Sequence, residues 1–490
     1  MSNNNDKTEK IRYSNLVSVK TALCSVLLCL IVILSGCFKY QYVPKPINET
    51  QSLTDILAHD PADPAFKSFL DEHQFSNLAW PIKKWDLNSL MLTAIFFNPA
   101  IKVAKSELSM TQAAEITAGQ RPNPGVGIPL EHHSETGESP WLIGLVSDFL
   151  FERADKIESR QKQAISKTQA AEINLEQQVW NTYSGLHQNL IEFYAATKQK
   201  ELLQQQQELL SENLSLLERR QELGQVSQFE VSSVRLELQH IQLRVSDQDY
   251  EINNAFHNLI AETGLQVDKF KKSELDFSNL DSEFNSQQFD EVSLREEVLN
   301  HRFDVRIKLK EYEALEAALR LEIVKQYPDI NLSPGFIFDQ GDRIWTLGAA
   351  WILPLFHNNE GQIEEALAAR QHLQAEFLQL QTSLLNELNR KRQNYLDKLN
   401  SYQNTLKLMD ELTNRSEQIQ KQFDLGYTDS LSVVRSKIEL EKARQAIFAI
   451  KIDVLRAIEQ LEQVSQNALH NNIDLKTLTT RLLNNTRQTK

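Results

Sequence analysis

Ile330-Asn-Leu-Ser-Pro-Gly-Phe-Ile-Phe-Asp339, the turn Gln340-Gly341, and Asp342-Arg-Ile-Trp-Thr-Leu-Gly-Ala-Ala-Trp351 form the stretch that decides the fold of this chain. In the first half Ile330, Leu332, Pro334, Phe336 and Phe338 alternate with Asn331, Ser333, Gly335 and Ile337. In the second, Trp345, Leu347, Ala349 and Trp351 alternate with Ile344, Thr346, Gly348 and Ala350. Each half reads as a strand of about 9–10 residues with one apolar face and one small or polar face, as a tilted membrane-spanning strand requires. Trp345 and Trp351 then lie toward opposite ends of one strand, where aromatic belts meet the two lipid interfaces.

A weaker hairpin occurs about 204 residues earlier. Gly125–Leu130 leads through the polar loop Glu131–Glu138 to a return strand at Trp141–Val146. Other landmarks recur in the same order and at nearly the same offset: Asn98-Pro99 and Phe303-Asp304, Pro124-Gly125 and Pro328-Asp329, Leu223-Gly224 and Leu425-Gly426. A period this long means two copies of one large unit rather than a solenoid of small ones.

Between the strand hairpins the chain is helical. No proline occurs between Pro140 and Pro328 or after Pro354, and glycine is rare there, with Gly224 and Gly426 near the middle of each stretch. This predicts two long helical hairpins. Outgoing arms run over about Phe151–Leu223 and Gly361–Leu425, the first being roughly 100 Å long at the α-helical rise. The shorter return arms cover about Ser227–Glu262 and Ser430–His470. Val179, Tyr183, Leu186, Leu190 and Phe193 follow a 4-3-4-3 spacing, which is a coiled-coil seam. Periodicity alone equally admits a filamentous coiled coil; the strand hairpins decide against it. Four strands cannot close a barrel, and an open sheet edge in lipid leaves backbone groups unpaired. Several copies must therefore share one barrel.

Lys7, Lys10, Arg12 and Lys20 precede an apolar run, Thr21–Leu34, that is too short for a stable spanning helix and ends in Leu34-Ser35-Gly36-Cys37. This resembles a bacterial lipobox, so residues 1–36 are expected to be removed and Cys37 acylated. Phe38 follows, and by the same resemblance the absence of Asp there implies outer-membrane sorting. Cys24 and Cys29 fall in the removed part, which leaves no disulfide or thiol metal site. The full chain carries a net charge of −14, and loss of four basic and two acidic residues makes it more negative. Such a surface argues against nucleic-acid binding.

The chain as a whole resembles the TolC-type outer-membrane efflux proteins, especially their lipidated branch found with metal-cation and drug efflux. The likeness runs from about Trp85 to Gln466 and rests on several short motifs. These are Asp86-Leu87 before Asn98-Pro99, Arg121-Pro-Asn-Pro124 leading into a strand, Leu353-Pro354-Leu-Phe356 leading out of one, and the two Leu-Gly turns. It implies a mainly α chain with membrane β: two tandem repeats, each a strand hairpin plus a long helical hairpin. Three protomers would give a barrel of about 12 strands continued by a periplasmic tunnel of about 12 helices. The expected division is 1–36 signal peptide, 37–84 lipidated extended segment, 85–264 repeat one, 265–300 equatorial linker, 301–470 repeat two and 471–490 tail. Pro354 would ease the strand-to-helix transition; Leu150, near the matching place in repeat one, has no proline beside it.

The resemblance also implies partners: a homotrimer, a periplasmic adaptor, an inner-membrane pump of the RND type and outer-membrane lipid. The adaptor would dock on Leu223, Gly224, Gln225, Val226 and Ser227 of the first turn and Leu425, Gly426, Tyr427, Thr428 and Asp429 of the second. Relatives place acids just after the second turn; here Ser432 and Arg435 stand in their place. The candidate gate is therefore Asp429, acting as a charge ring, with Arg435 pairing either with Asp429 or with a facing acid such as Glu230. Glu131, His132 and His133 read as an external loop rather than a metal site, and Trp180 and Tyr183 as wall packing. No P-loop, nucleophile elbow, HExxH or dinucleotide turn is present. The reading is thus of a passive duct, neither an enzyme nor a cofactor protein. A periplasmic adaptor or a structural coiled-coil lipoprotein is the competing reading, but an adaptor should carry one helical hairpin and a split lipoyl-like β-domain.

Overall fold

The computed structural model describes residues 42–73, 75, 79–134, 140–152, 154–281 and 291–468. The expected signal segment, Cys37, residues 135–138 of the expected 131–138 loop, residues 282–290 of the expected linker and the 471–490 tail lie outside the described residues. The chain divides into two compact units, one up to Ala58 and one from His59 onward. Within the first, α1 (Glu49–Ala58) buries no residue.

Helices α1 and α2 (Pro64–Glu72) correct the expectation of an extended segment over 37–84. Helix α2 forms because Asp63 caps its N-terminus, accepting from the Ala65 N–H at 2.8 Å, and Pro64 sits where a missing N–H costs nothing. Phe66 and Leu70 are its buried side.

The cap pattern repeats downstream. Asp86 and Ser89 form a reciprocal capping box that starts α3 (Leu87–Phe97). Asn98 ends α3 and caps α4 (Pro99–Ala118), with a bend of 51° between them. Strands β1 (Gly125–Gly127), β2 (Leu130–His132) and β3 (Trp141–Phe151) follow, then α5 (Ala154–Glu222) and α6 (Gln228–Ala261). A short helix, α7 (Ser278–Asp281), and α8 (Glu291–Asn300) lie between the repeats. Repeat two holds α9 (Phe303–Val324), β4 (Ile330–Asp339), β5 (Asp342–Ala350), α10 (Glu360–Asp424) and α11 (Ser430–Ser465). Helices α5 and α10 run for 69 and 65 residues. Among the described residues no single helix is long and apolar enough to cross a membrane.

All five sheet elements are antiparallel, in the order β1-β3-β4-β5, with β2 also on β3. The predicted first strand is split. Gly127 faces Val146 and Leu130 faces Ile143, so the register is unbroken, and the ladder lapses where Pro129 has no N–H to donate. The sheet is therefore four strand-rows wide, with β1/β2 and β5 as its outer rows. Two further boundaries differ from expectation. Strand β3 continues past Val146 to Phe151, because β4 pairs with it as far as Ile330. Strand β5 stops at Ala350, so Trp351 begins an irregular stretch around Pro354 that repeat one lacks. Glu131 and His132, read as loop, belong to β2, and the His132 ring meets Trp141 edge-on at 4.6 Å.

The helices form columns. At the end of α6, the Asn98 amide donates to the Glu262 carbonyl at 2.8 Å, so α4 begins where α6 stops. Gly264 makes this junction possible: its φ is +77°, and a Cβ there would lie 2.8 Å from the Asn98 backbone. Repeat two builds the same joint differently. Arg302 donates to the Val464 carbonyl, and the Phe303 N–H donates to Gln466, each at 2.6 Å. Column α6/α4 packs on α5, α5 packs on column α11/α9, and that column packs on α10. The predicted seam from Val179 to Phe193 is buried throughout, and the main core gathers around it with α3. Smaller apolar clusters continue down the arms: Leu203, Leu210, Ile241, Val434 and Ile438, then Leu217, Val231 and Leu431.

Candidate functional site

Both helical hairpins turn by the same local chemistry. After α5, Gly224 has φ +69°; its N–H reaches the Gln221 carbonyl, and the Gln225 N–H reaches that of Arg220, each at 2.8 Å. After α10, Gly426 has φ +77°, with the Gly426 and Tyr427 N–H groups returning to Phe423 and Gln422 at 2.9 and 2.8 Å. These are left-handed helix stops that satisfy the last free carbonyls. Nothing lies within 4 Å of a Cβ built on either glycine, so glycine is needed there for backbone angle and not for space.

Each return helix is capped by the residue at the same repeat position. Ser227 accepts from the Glu230 N–H at 3.3 Å, and Asp429 accepts from the Ser432 N–H at 2.8 Å. The turns leave Leu223, Leu425 and Tyr427 exposed, while Leu217, Val231 and Leu431 close an apolar cluster behind them. An apolar tip on a rigid base is suited to a protein partner.

Three ion pairs tie hairpin one to hairpin two beside this tip. Arg220 donates to Asp429 at 2.8 Å, Arg435 to Glu230, and Lys442 to Glu237 at 2.7 Å. The candidate gate residues are thus divided between two pairs: Arg435 meets Glu230, while Asp429 meets Arg220. Arg220 was missed from the sequence. Its signal was its place in the last turn of α5, beside Arg219, where basic side chains complement the helix dipole. The Arg220 guanidinium, with the Ser432 backbone and hydroxyl, holds the Asp429 carboxyl down to about 2. The carboxylate therefore stabilises the folded tip above its ordinary value of 3.8 and loses that effect as pH falls toward 2. At neutral pH the Asp429 carboxyl therefore stays ionised. These pairs are partly exposed, and each is worth at most about 1 kcal/mol.

Elsewhere, the helix interior holds a second charged cluster. Glu459 accepts from Ser184 at 2.8 Å, and His187 faces Glu462 at 3.2 Å, all four residues being buried between α5 and α11. Burial raises the Glu459 carboxyl above its ordinary value, against smaller opposing effects of Ser184 and His187. The predicted wall residues Trp180 and Tyr183 lie in the same core, with ring centroids 5.3 Å apart.

No protein-family model matches the chain. No curated protein matches it either. Solved structures do. The outer-membrane channel OprN superposes with a TM-score of 0.64 at 16% identity, covering 88% of this chain and 99% of its own. The outer membrane protein VceC from Vibrio cholerae gives 0.61 at 18% identity, covering 78% and 96%. The CmeC outer membrane channel of Campylobacter jejuni gives 0.62 at 14% identity, covering 82% and 89%. At these identities the likeness is one of fold, and it extends over nearly the full length of each channel: this chain has the TolC-type fold of an outer-membrane channel protomer.

Proposed function

We propose that this chain is the outer-membrane component of a tripartite efflux system, a passive trimeric duct for small solutes such as metal cations or drugs. The observation that carries this reading is the sheet, four strand-rows wide, joined to helical columns about 100 Å long that end in two glycine turns. A sheet of that width cannot close alone in lipid. Three copies would close it into a barrel of about 12 strands. The helical columns would extend the passage across the periplasm of a Gram-negative cell.

In this reading Cys37 carries the lipid anchor. The turns Leu223–Ser227 and Leu425–Asp429 receive a periplasmic adaptor, and an inner-membrane pump of the RND type supplies the energy. The pairs Arg220–Asp429 and Glu230–Arg435 hold the two hairpins together at the entrance. Opening would separate them when the adaptor docks.

The test is a deletion strain challenged with metal salts and drugs, complemented by the wild-type chain or by Gly224→Pro or Gly426→Pro. The wild type is expected to restore resistance only when adaptor and pump are present. The proline variants are expected to remain trimeric in the outer membrane and fail to restore it. Full resistance with either variant would remove the turns from the docking site; resistance that never depends on the chain would end the duct reading.

A further inference from the structure

Helices α6, α5 and α11 close tightly toward the tip and leave a polar pocket farther up. In the closed part, Leu203 and Leu210 of α5 pack with Ile241 of α6 and with Val434 and Ile438 of α11. One heptad before Leu203 the same stripe of α5 carries Ala196, and Ile241 is followed at heptad spacing by Gln248 and Ala255. Ala449 stands beside them on α11. The seam thus loses its large apolar side chains over this stretch. A pocket of about 350 Å³ opens there, with α5 as its floor and α6 and α11 as its walls. Such a gap forfeits packing contacts, and a break in an otherwise regular seam is expected where a site is built.

Polar side chains line the opening. Asn189 and Gln199 come from α5, and Gln248, Asn254 and Asn258 from α6. Among the described residues none of these five amides has a hydrogen-bond partner in the chain, so each is free to bond water or a solute. The charged groups are of two kinds. Both oxygens of Glu192 accept from Arg456, at 2.7 and 2.6 Å. Asp453 accepts from Arg456 at 3.3 Å and from Lys398 of α10 at 2.7 Å. Those charges are matched where they stand. Glu251, exposed on α6, has no cationic partner among the described residues.

The pocket opens away from α3. The seam from Val179 to Phe193 packs in one core with α3, whereas Asn189, Glu192, Ala196 and Gln199 form a separate stripe of α5 with 3-4-3 spacing. In a ring of columns α3 can only stand outside, because inside it would fill the passage. The stripe and its pocket then face the passage.

The lining also selects the solute. Arg456 is answered by Glu192 while Glu251 is left unanswered, so a cation is favoured over an anion. Among the described residues no three acidic, histidine or cysteine side chains gather to hold a metal ion. The amide oxygens instead suit a solute that donates several hydrogen bonds, and the volume is that of a small-molecule site. We propose that this pocket is a wall site of the duct for small organic cations bearing several N–H groups, with Glu251 taking the charge and the amides of α5 and α6 the remaining donors.

The pocket's place on a passage rests on the duct reading, and the experiment separates the two. Purified full-length protein is dialysed to equilibrium against labelled spermidine at low salt, where screening is weak, and the same preparation is reconstituted in planar bilayers for conductance. Wild type is expected to bind spermidine saturably and to leave tricarballylate, a trivalent anion, unbound. Glu251→Gln should weaken spermidine binding by about tenfold. Ala196→Leu, which continues the leucine stripe of α5 into the gap, should abolish saturable binding. Glu364→Gln removes an equal charge from an exposed position on α10 and should leave the affinity unchanged. Wild-type channels that conduct while spermidine binds without saturation, or equally to wild type and Glu251→Gln, would overturn the pocket and leave the duct standing. An equal loss of affinity in Glu364→Gln would also overturn it, since net charge alone would then account for binding. Wild-type protein that passes no current would overturn the duct and with it the pocket's place on a passage.

Discussion

Asp429 caps α11 and pairs with Arg220, and two substitutions separate these roles. Asn caps a helix about as well as Asp, whereas Ala loses about 1 kcal/mol. Asp429→Ala is therefore expected to lower the thermal midpoint, while Asp429→Asn leaves it nearly unchanged. Both remove the ionic link between hairpins, so both should raise the conductance of the reconstituted channel. Equal conductance for wild type and Asp429→Asn would show that the pair does not hold the entrance. Arg220 and Ser432 hold the Asp429 carboxyl down to about 2. Wild-type conductance controlled by this pair should be flat from about pH 5 to 8 and change only below about pH 4, which a conductance–pH series checks.

At the scale of elements, the joint between α6 and α4 is the place where one atom matters most. Gly264→Ala forces a side chain into φ +77° and against the Asn98 backbone. The expected loss is about 1–3 kcal/mol, read as a lowered denaturation midpoint. Gly224→Ala is the control, since the backbone angle is similar but the space is open; it should lose less. A reversed order would mean that the α6–α4 joint is not tightly packed. The α5–α11 interface gives a prediction of opposite sign. Because burial raises the Glu459 carboxyl, its charged form weakens the fold above its ordinary range. Glu459→Gln keeps the shape and is expected to raise the midpoint at pH 8, with the gain fading toward pH 4. A lower midpoint at pH 8 would show that the charge is fully compensated by Ser184 and His187.

For the whole molecule, the alternation in β5 becomes a statement about lipid. Leu347 lies on the Trp345 face and Thr346 on the other. In a shared barrel, Leu347→Lys places a charge toward the bilayer and costs about 2–4 kcal/mol near the midplane. Thr346→Lys points into the lumen and should be tolerated. Heat-resistant trimer recovered from outer membranes is the readout, and equal recovery of both variants would reverse the assignment of faces.

Much of this architecture was legible residue by residue. Proline and glycine placement bounded the long helices to within a few residues, because backbone angle is a local property. The two Leu-Gly turns and the alternation from Ile330 to Ala350 were readable for the same reason. Strand limits were less so: Pro129 splits one strand and pairing with β4 prolongs β3 to Phe151, and a strand's extent depends on its neighbour. The helices over 37–84 went unread because their apolar side is only Phe66 and Leu70.

The sequence by itself determined the duplication, the lengths of the arms, the turns and the strand faces, since each follows from spacing, backbone angle or side-chain alternation within a short window. Tertiary structure alone decided which columns stand side by side. From that order come the partnership of Asp429 with Arg220 and the stacking of α4 on α6. Those contacts join residues well over a hundred positions apart, and packing geometry, not local pattern, selects them.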